Sequence, residues 1–450
     1  MGEGGGNEHA LSRALGPWHA AALVVGTIVG TGIFLKSATM AQLCGSATWV
    51  LAAWVVAGVL SLTGAMTYAE LGGAFPEAGG AYIFLREAWG RYAGFVYGWT
   101  RFWIGAPGSI AAYAVGAAIF LSRLEPLAGI DPRITAVAII VAFTAFNCLS
   151  VRVGGGLQVV LTVLKVAALV VLAIGLFSSP AADASRVTDA GGGFPGWSKF
   201  GLAVLSALWA FDGWNHLPMA AGEVRDAGRT VPRAIMRGVL AVLALYLLIN
   251  VAYFAVLSFD EVATASSHAH RDAPPVATRA AATVLGDRAQ VVLASVMALA
   301  AISAMAGTML TSARVPFAMA KDGLAPARLA GVSAQARAPV AAVLVQGAWA
   351  AVLASSGSFD QLTTYVVFAA WLFSAMNAGS LLVLRRRRPD LVRPFRVPGY
   401  PVVPIVFAVA ATFLVANALV AAPRESLLGV GLMALSAPTY LVLRGKMVGL

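Results

Sequence analysis

The chain has 450 residues, of which 59% are hydrophobic and 11% charged, with a mean hydropathy of +0.81 and a formal net charge of +11. Soluble domains carry roughly 25% charged residues, so this composition excludes an ordinary soluble protein and indicates a polytopic helical membrane protein. The apolar stretches do not alternate with a period of two residues, which excludes a transmembrane barrel.

The polar, glycine-rich head, residues 1–16, is predicted to be a disordered cytoplasmic tail. It leads directly into a full-length apolar stretch, so no cleavable signal peptide is expected. A helix needs roughly 20 apolar residues to cross a bilayer. On that criterion the sequence predicts twelve membrane spans, at 17–42, 47–73, 92–121, 133–151, 157–178, 198–221, 234–258, 281–319, 338–356, 360–384, 400–421 and 426–443.

The basic residues predict how these spans are oriented. With the N-terminus in the cytoplasm, 19 of the 31 lysines and arginines fall in cytoplasmic segments, 9 fall outside and 3 fall within spans. This bias follows the positive-inside rule, so both termini are expected in the cytoplasm. The expected location is a plasma membrane, of the type of a bacterial inner membrane. The basic run Arg385–Arg388 is then expected to help set the orientation of the chain and to contact anionic lipid of the bilayer. No nucleic-acid partner is expected.

Residue types that support catalysis or metal binding are sparse. The two cysteines, Cys44 and Cys148, form neither a disulfide framework nor a metal site. The five histidines lack ligand spacing, and no Walker-type phosphate loop occurs. These features argue against an enzyme, a metalloprotein and an ATP-driven pump, and no cofactor is expected.

Two short glycine-containing breaks interrupt apolar stretches: Gly30-Thr31-Gly32 in the first predicted span and Asp212-Gly213 in the sixth. The glycines Gly32 and Gly213 lie 181 residues apart, as do the starts of the two spans. Paired breaks of this kind predict discontinuous helices that bind a ligand at mid-membrane. The alternative is that these glycines only allow neighbouring helices to pack closely.

The equal spacing also predicts an internal repeat. Each unit has five spans, so the second enters the membrane in the opposite orientation, as an inverted repeat. The repeats are predicted at 17–178 and 198–384, and 400–443 holds two extra spans.

The first break predicts an anion site. It would free the amides of Thr31, Gly32 and Ile33 at the positive end of a helix dipole, which suits a carboxylate. Carbonyls left bare near Ile28 would suit a cation. If a carboxylate approaches Gly32, a valine there should block binding and leave the fold intact.

The second break is predicted to expose carbonyls near Trp209 and Asp212, beside Gly213. Carbonyls and amides a few ångströms apart match the ammonium and carboxylate of an amino acid. Such a site needs no charged side chain, so no buried charge is left unpaired when the site empties.

Five segments, in order along most of the chain, carry a resemblance to a known family: GTIVGTGIF, YAELGGAFPEAGGAYIFL, GEVRDAGRTVPRAI, TSARVPFAMAKDGLAP and RPFRVPGYPVVP. They resemble the amino acid–polyamine–organocation (APC) superfamily. The resemblance implies an all-α LeuT-type fold, with a 5+5 inverted repeat, two extra helices and breaks in helices 1 and 6. The segment AFDGWN, together with Lys165 in LTVLKVAAL, is similar to the L-amino acid transporter (LAT) branch and its bacterial relatives.

Carried onto this chain, the resemblance implies roles for five residues. Thr31 and Gly32 bind the substrate carboxylate. The carbonyls of Ile28, Trp209 and Asp212 bind its ammonium, and the Trp209 ring is the gate over the bound side chain.

Lys165 lies well inside the fifth predicted span. A lysine at that depth costs roughly 3 kcal/mol unless it finds partners. Its side chain could extend towards the interface, or its ammonium could stand where sodium sits in sodium-coupled relatives. The resemblance supports the second reading, in which Lys165 ties span one to span eight and transport is independent of sodium. A proton role stays open.

Four other ionisable residues have predicted roles, and two of them, Asp212 and Arg101, have competing interpretations. Asp212 could cap the broken helix, or could face the pocket and favour cationic substrates or proton coupling. Arg101 is interpreted as a structural ion-pair or snorkelling residue rather than a pocket residue. Glu70 and Glu223 are predicted to pair with nearby arginines.

Two polar residues follow the second break. Asn215 is predicted to bond freed backbone groups, and His216 is interpreted as structural rather than as a proton relay.

The expected function is sodium-independent secondary transport of L-amino acids, neutral ones first, by exchange. A carrier of cationic amino acids or polyamines, or proton-coupled uptake, is the alternative. Eukaryotic LAT-type chains join a heavy subunit through a cysteine after span three. That loop, Ser122–Pro132, has no cysteine, so no disulfide-linked heavy subunit is expected.

Overall fold

The computed structural model describes residues 11–125, 127–188, 193–267, 269–270, 272–356, 359–421 and 423–448. The helices of the first half are α1 (Pro17–Ile28), α2 (Gly32–Cys44), α3 (Ala47–Ala74), α4 (Ala81–Trp89), α5 (Arg91–Thr100), α6 (Ala106–Leu121), α7 (Pro132–Asn147), α8 (Val151–Phe177) and α9 (Ser185–Thr188). Those of the second half are α10 (Trp197–Ala210), α11 (Ala227–Val256), α12 (Phe259–Ala263), α13 (Val276–Leu285), α14 (Ala289–Ser312), α15 (Arg314–Lys321), α16 (Val340–Ser356), α17 (Phe359–Arg387), α18 (Val402–Ala421), α19 (Pro423–Ala434) and α20 (Ser436–Val448). A π-helical turn, Arg101–Gly105, joins α5 to α6, and 3₁₀ turns occupy Leu217–Glu223, Gly286–Arg288 and Ala327–Ala330.

Among the described residues, eight helical stretches are long and apolar enough to cross a membrane, and two shorter apolar helices, α7 and α16, accompany them. The protein is therefore an all-helical, multi-pass membrane protein. The count of twelve spans stays a prediction. The sixth predicted span, 198–221, is not one continuous α-helix, because α10 ends at Ala210.

Local residue chemistry sets several helix ends. Ser46 accepts a hydrogen bond from the backbone amide of Trp49 at the start of α3, and Ser150 accepts one from Arg152 at the start of α8. A serine in this position satisfies an amide that the helix leaves unpaired. The cap at Ser150 explains why α8 begins before the predicted residue 157.

The segment before α1 is packed against the body of the protein. Leu15 is fully buried, its amide donates to the carbonyl of Glu223, and its carbonyl accepts from Arg225. The predicted disordered tail, 1–16, is therefore too long at its C-terminal end, because backbone pairing and burial hold these residues. Residues 1–10 of that prediction lie outside the described residues.

The two glutamates predicted to pair with arginines do so. The Glu223 carboxylate accepts from Arg314 Nε at 2.8 Å, and both side chains are buried. The Glu70 carboxylate accepts from Arg385 Nη2 at 2.6 Å. Removing one partner of a buried pair leaves an uncompensated charge and costs about 3–5 kcal/mol. These pairs join the segment after α10 to α15, and α3 to α17.

The broken helices lie in the centre of the bundle. The helix α1 packs against α8, α11 and α14, whereas α2 packs against α10 and α3. This arrangement brings the two breaks together inside the protein.

Candidate functional site

The first break leaves three backbone amides unpaired. The helix α1 ends at Ile28, and α2 begins at Gly32. Within the described part of the chain, the amides of Thr31, Gly32 and Ile33 donate no hydrogen bond to the protein. They lie at the N-terminus of α2, where the helix dipole favours an anion.

The second break interlocks with the first. After α10 ends, Gly213 adopts φ = +133°, a conformation that residues with a side chain rarely adopt. A Cβ atom there would lie 2.7 Å from the carbonyl carbon of Thr27. The Thr27 hydroxyl oxygen lies 2.9 Å from the Gly213 carbonyl oxygen and 2.6 Å from that of Leu23, so its one proton is shared between the two. Glycine is therefore required for the two breaks to touch.

A tyrosine from α11, which no sequence motif indicated, bridges the two breaks. The Tyr246 hydroxyl lies 3.1 Å from the carbonyl oxygen of Ile28 and 3.0 Å from that of Ala210. These are carbonyls that the broken helices leave without intrahelical partners. Tyr246 lies in a continuous apolar span with no motif around it, so only the folded arrangement reveals this role.

The Ile28 carbonyl already has contacts within the protein. Its oxygen accepts from the Gly30 amide at 2.8 Å and lies 3.1 Å from the Tyr246 hydroxyl. That hydroxyl has one proton, which is shared with the Ala210 carbonyl at 3.0 Å. The ammonium-binding role of Ile28 stays a prediction. The carbonyls of Phe211 and Asp212 accept no hydrogen bond from the described residues.

We expect Tyr246→Phe to destabilise the protein by about 1–3 kcal/mol, because buried carbonyls lose their donor while the ring keeps its packing. Thermal unfolding of the purified protein in detergent measures this. Tyr253→Phe is the matched control, since the buried Tyr253 hydroxyl in the same helix has no partner among the described residues. An equal effect of the two substitutions would contradict the bridging role.

Lys165 is fully buried and bound to α1. Its Nζ donates to the carbonyls of Gly26 and Val29, each at 2.6 Å. The snorkelling alternative is therefore wrong. The predicted contact of Lys165 with span one is present, because both acceptors belong to the last turn of α1 and the break. The tie to span eight stays a prediction.

Gly32 lies against the end of α10. A Cβ atom at this position would be 2.9 Å from Ala210 Cα and 3.3 Å from the Trp209 ring. The expectation that Gly32→Val would block binding and leave the fold intact is therefore wrong, since the valine would first push α2 and α10 apart.

Trp209 lies beside the first break and on the wall of a cavity of about 400 Å³ between α2, α10 and α18. The Lys36 ammonium is 4.7 Å from the centre of the Trp209 ring. This cation–π contact joins α2 to α10 next to Gly32.

On another side of the breaks, polar groups face a second, smaller cavity. Arg101 and Asn215 line it, and the π-helical turn starts at Arg101. Arg101, interpreted from the sequence as a structural ion-pair or snorkelling residue, lines this cavity, and its Nη2 lies 3.1 Å from His216 Nε2. Asn215 Nδ2 donates to the Asp212 carboxylate at 3.3 Å rather than to freed backbone groups. The N-cap of the following 3₁₀ turn is His216, not Asp212.

The arrangement can bind a zwitterion without a metal. In the described residues, no group of three or more histidine, cysteine, aspartate or glutamate side chains could hold a metal ion. Unpaired amides, carbonyls and one polar cavity lie around the two touching breaks.

Comparison with known proteins agrees with this chemistry. The amino acid permease family matches residues 15–443. The b(0,+)-type amino acid transporter 1 of Mus musculus is 31% identical over 428 residues, covering 92% of this chain and 84% of the relative. The serine/threonine exchanger SteT of Bacillus subtilis is 30% identical over 412 residues, with 91% of each chain covered. The cystine/glutamate transporter of Homo sapiens is 30% identical over 437 residues, covering 96% and 85%.

Proposed function

Because this chain belongs to the amino acid permease family of the APC superfamily, we propose that it is a sodium-independent exchanger of neutral L-amino acids. The observation that carries the proposal is the contact between the two helix breaks, with three unpaired amides at the start of α2. Exchange is supported by the serine/threonine exchanger among the relatives.

The proposed site is built from the two breaks. Thr31 and Gly32 receive the substrate carboxylate through their amides. The carbonyls of Ile28, Trp209 and Asp212 receive the ammonium, with that of Phe211 beside them, and the Trp209 ring closes over the side chain. Its position at the end of α10, in contact with α2 through Lys36, supports the gate role.

Alternating access in this proposal moves two inverted repeats, 17–178 and 198–384, around the central site, with 400–443 outside the repeats. In this proposal the membrane is a bacterial inner membrane, and both termini face the cytoplasm. The absence of cysteine from the loop Ser122–Pro132 supports a chain that works without a disulfide-linked heavy subunit.

Sodium independence rests on Lys165. Its ammonium is fully buried and already donates hydrogen bonds to the carbonyls of Gly26 and Val29. A bound sodium ion would bring a second positive charge next to it, at a large electrostatic cost in a low-dielectric interior.

Uptake of labelled L-alanine, L-serine and L-leucine into proteoliposomes tests the function. We expect uptake to be unchanged when choline replaces sodium, and faster into vesicles preloaded with the same amino acid than into empty ones. Protein-free vesicles are the control. Sodium-dependent uptake, or equal rates into empty and preloaded vesicles, would contradict sodium-independent exchange.

A further inference from the structure

An apolar cavity of about 570 Å³ lies at one end of the helix bundle, and none of its lining residues belongs to the two breaks. Its wall is formed by α5, the π-helical turn, α15 with the 3₁₀ turn that follows, the start of α16 and the end of α20. On the predicted topology, α5 and α16 enter the membrane from the cytoplasm and α20 returns to it. The cavity then lies at the level of the cytoplasmic leaflet.

The depth of this cavity matches the hydrocarbon layer of one leaflet. The helix α5 begins at Arg91, and Trp103, which lines the cavity, follows twelve residues later. That separation is roughly 18 Å along a helix, and half of the bilayer core is about 15 Å thick. A chain in the cavity can therefore run from the membrane surface towards the middle of the bilayer.

The wall of the cavity offers few partners to water. Aromatic side chains from α5 and the π-helical turn form one side of it: Phe95, Trp99, Phe102 and Trp103. The other lining side chains with a polar group are Thr439 and Arg328. The Thr439 hydroxyl already donates to the Leu435 carbonyl at 3.2 Å. Apolar cavities stay dry because a water molecule needs two to four polar partners, so the fitting occupant is apolar.

The cavity is accessible from the side of the bundle. Trp103 and Val345, which both line it, are 39% and 44% exposed. An acyl chain of the bilayer can enter between them. It gains little hydrophobic free energy by doing so, since lipid chains are as apolar as the wall. The selectivity for one lipid must therefore come from a polar group at the mouth of the cavity.

Arg328 supplies that group. It lies in the 3₁₀ turn Ala327–Ala330, is exposed and lines the cavity. Within the described chain its guanidinium has no hydrogen bond or ion pair, whereas Arg86 and Arg91 are both bound to Asp322. No aspartate or glutamate is among the lining residues. A guanidinium with unused donors matches a phosphate, which it can bind through two parallel hydrogen bonds.

We propose that this cavity binds one anionic phospholipid of the cytoplasmic leaflet. An acyl chain lies between α5, α16 and α20, and the phosphate of the head group is bound by Arg328. The site is separate from the proposed substrate site, although the π-helical turn contacts both cavities. Phe102 and Trp103 of this turn line the lipid cavity, and Arg101 lines the smaller cavity with Asn215.

The test is lipid binding to the delipidated protein in detergent, measured by native mass spectrometry. The probes are phosphatidylglycerol, diacylglycerol with the same chains, and inorganic phosphate. We expect phosphatidylglycerol to bind best and phosphate alone not to bind, because it lacks the chain. Arg328→Gln is expected to weaken phosphatidylglycerol binding about fivefold, since one arginine near the membrane surface contributes about 1 kcal/mol. Diacylglycerol binding should not change.

Arg152→Gln is the matched control for the charge, because Arg152 is also exposed and also falls in a predicted cytoplasmic segment. It should leave the affinity for phosphatidylglycerol unchanged. An equal loss in Arg152→Gln and Arg328→Gln would overturn the site, as would no loss in Arg328→Gln. Binding of inorganic phosphate as tight as that of the lipid would show a phosphate site without a chain and overturn it too.

A second variant tests the position of the acyl chain. Ala341→Trp, on α16, places an indole in the cavity and is expected to weaken binding of both phosphatidylglycerol and diacylglycerol. Val352→Trp adds the same ring at an exposed position of α16 that does not line the cavity, and it should bind both lipids normally. Normal binding by a folded Ala341→Trp protein would contradict the proposal. If Ala341→Trp fails to fold, the exposed Arg328→Gln decides.

Discussion

Replacing Lys165 by alanine is expected to lower amino acid turnover by about tenfold or more while the protein still folds. The fully buried ammonium donates to the carbonyls of Gly26 and Val29 at 2.6 Å. Without it, each carbonyl is left unpaired in a dry site, at a cost of roughly 1–3 kcal/mol. These carbonyls lie at the end of α1, which the proposed cycle must move, so we expect turnover to fall more than substrate affinity.

Initial uptake rates and binding of the purified variant separate the two effects. Lys165→Met keeps the aliphatic chain and removes only the charge, so it should behave like Lys165→Ala if the ammonium is the essential group. Lys199→Met removes an exposed lysine at the start of α10 and should leave uptake unchanged. A fully active Lys165→Met protein would refute the role of the ammonium.

Gly213→Ala is expected to abolish uptake. The alanine would have to adopt φ = +133°, and its Cβ would lie 2.7 Å from the Thr27 backbone. A strained backbone of this kind costs about 1–3 kcal/mol, and the clash adds to that cost by separating the two breaks. Gly201→Ala in α10 is the matched control, because nothing lies within 4 Å of its Cβ position. It should leave uptake intact.

Should Gly213→Ala fail to fold, Thr27→Val tests the same contact with less disturbance. The valine has nearly the volume of threonine but cannot donate to the Gly213 carbonyl, which the Thr27 hydroxyl reaches at 2.9 Å. We expect uptake to fall with little change in size-exclusion profile. Uptake equal to wild type in Thr27→Val, or in a folded Gly213→Ala, would show that the contact between the breaks is dispensable.

Much of the fold follows from composition and local pattern. Apolar stretches predicted most helices to within a few residues, because helix length in a membrane is set by bilayer thickness. The ends at Ser46 and Ser150 reflect short-range capping. The sequence predicted that Glu70 and Glu223 pair with arginines, since buried acids need partners. It did not identify the arginines, which are Arg385 and Arg314.

The details of the site were less predictable, because they depend on residues far apart in the chain. The Ile28 carbonyl, which is expected to bind an ammonium, also contacts Tyr246 and Gly30, and no sequence pattern indicated the tyrosine. Arg101 was interpreted as structural, yet it lines the cavity beside Asn215. No spacing in the sequence relates these residues.

The sequence by itself determined that this is a helical membrane protein of the amino acid permease family, with glycine breaks in two spans and a lysine within a third. Those properties depend on residue composition and on short segments, which act locally. Only the tertiary structure decided that Gly213 touches α1, that Lys165 donates to the end of α1, and that Arg101 and Asn215 line one cavity. The physical reason is that buried polar groups must find partners, and several helices can offer them until packing selects one.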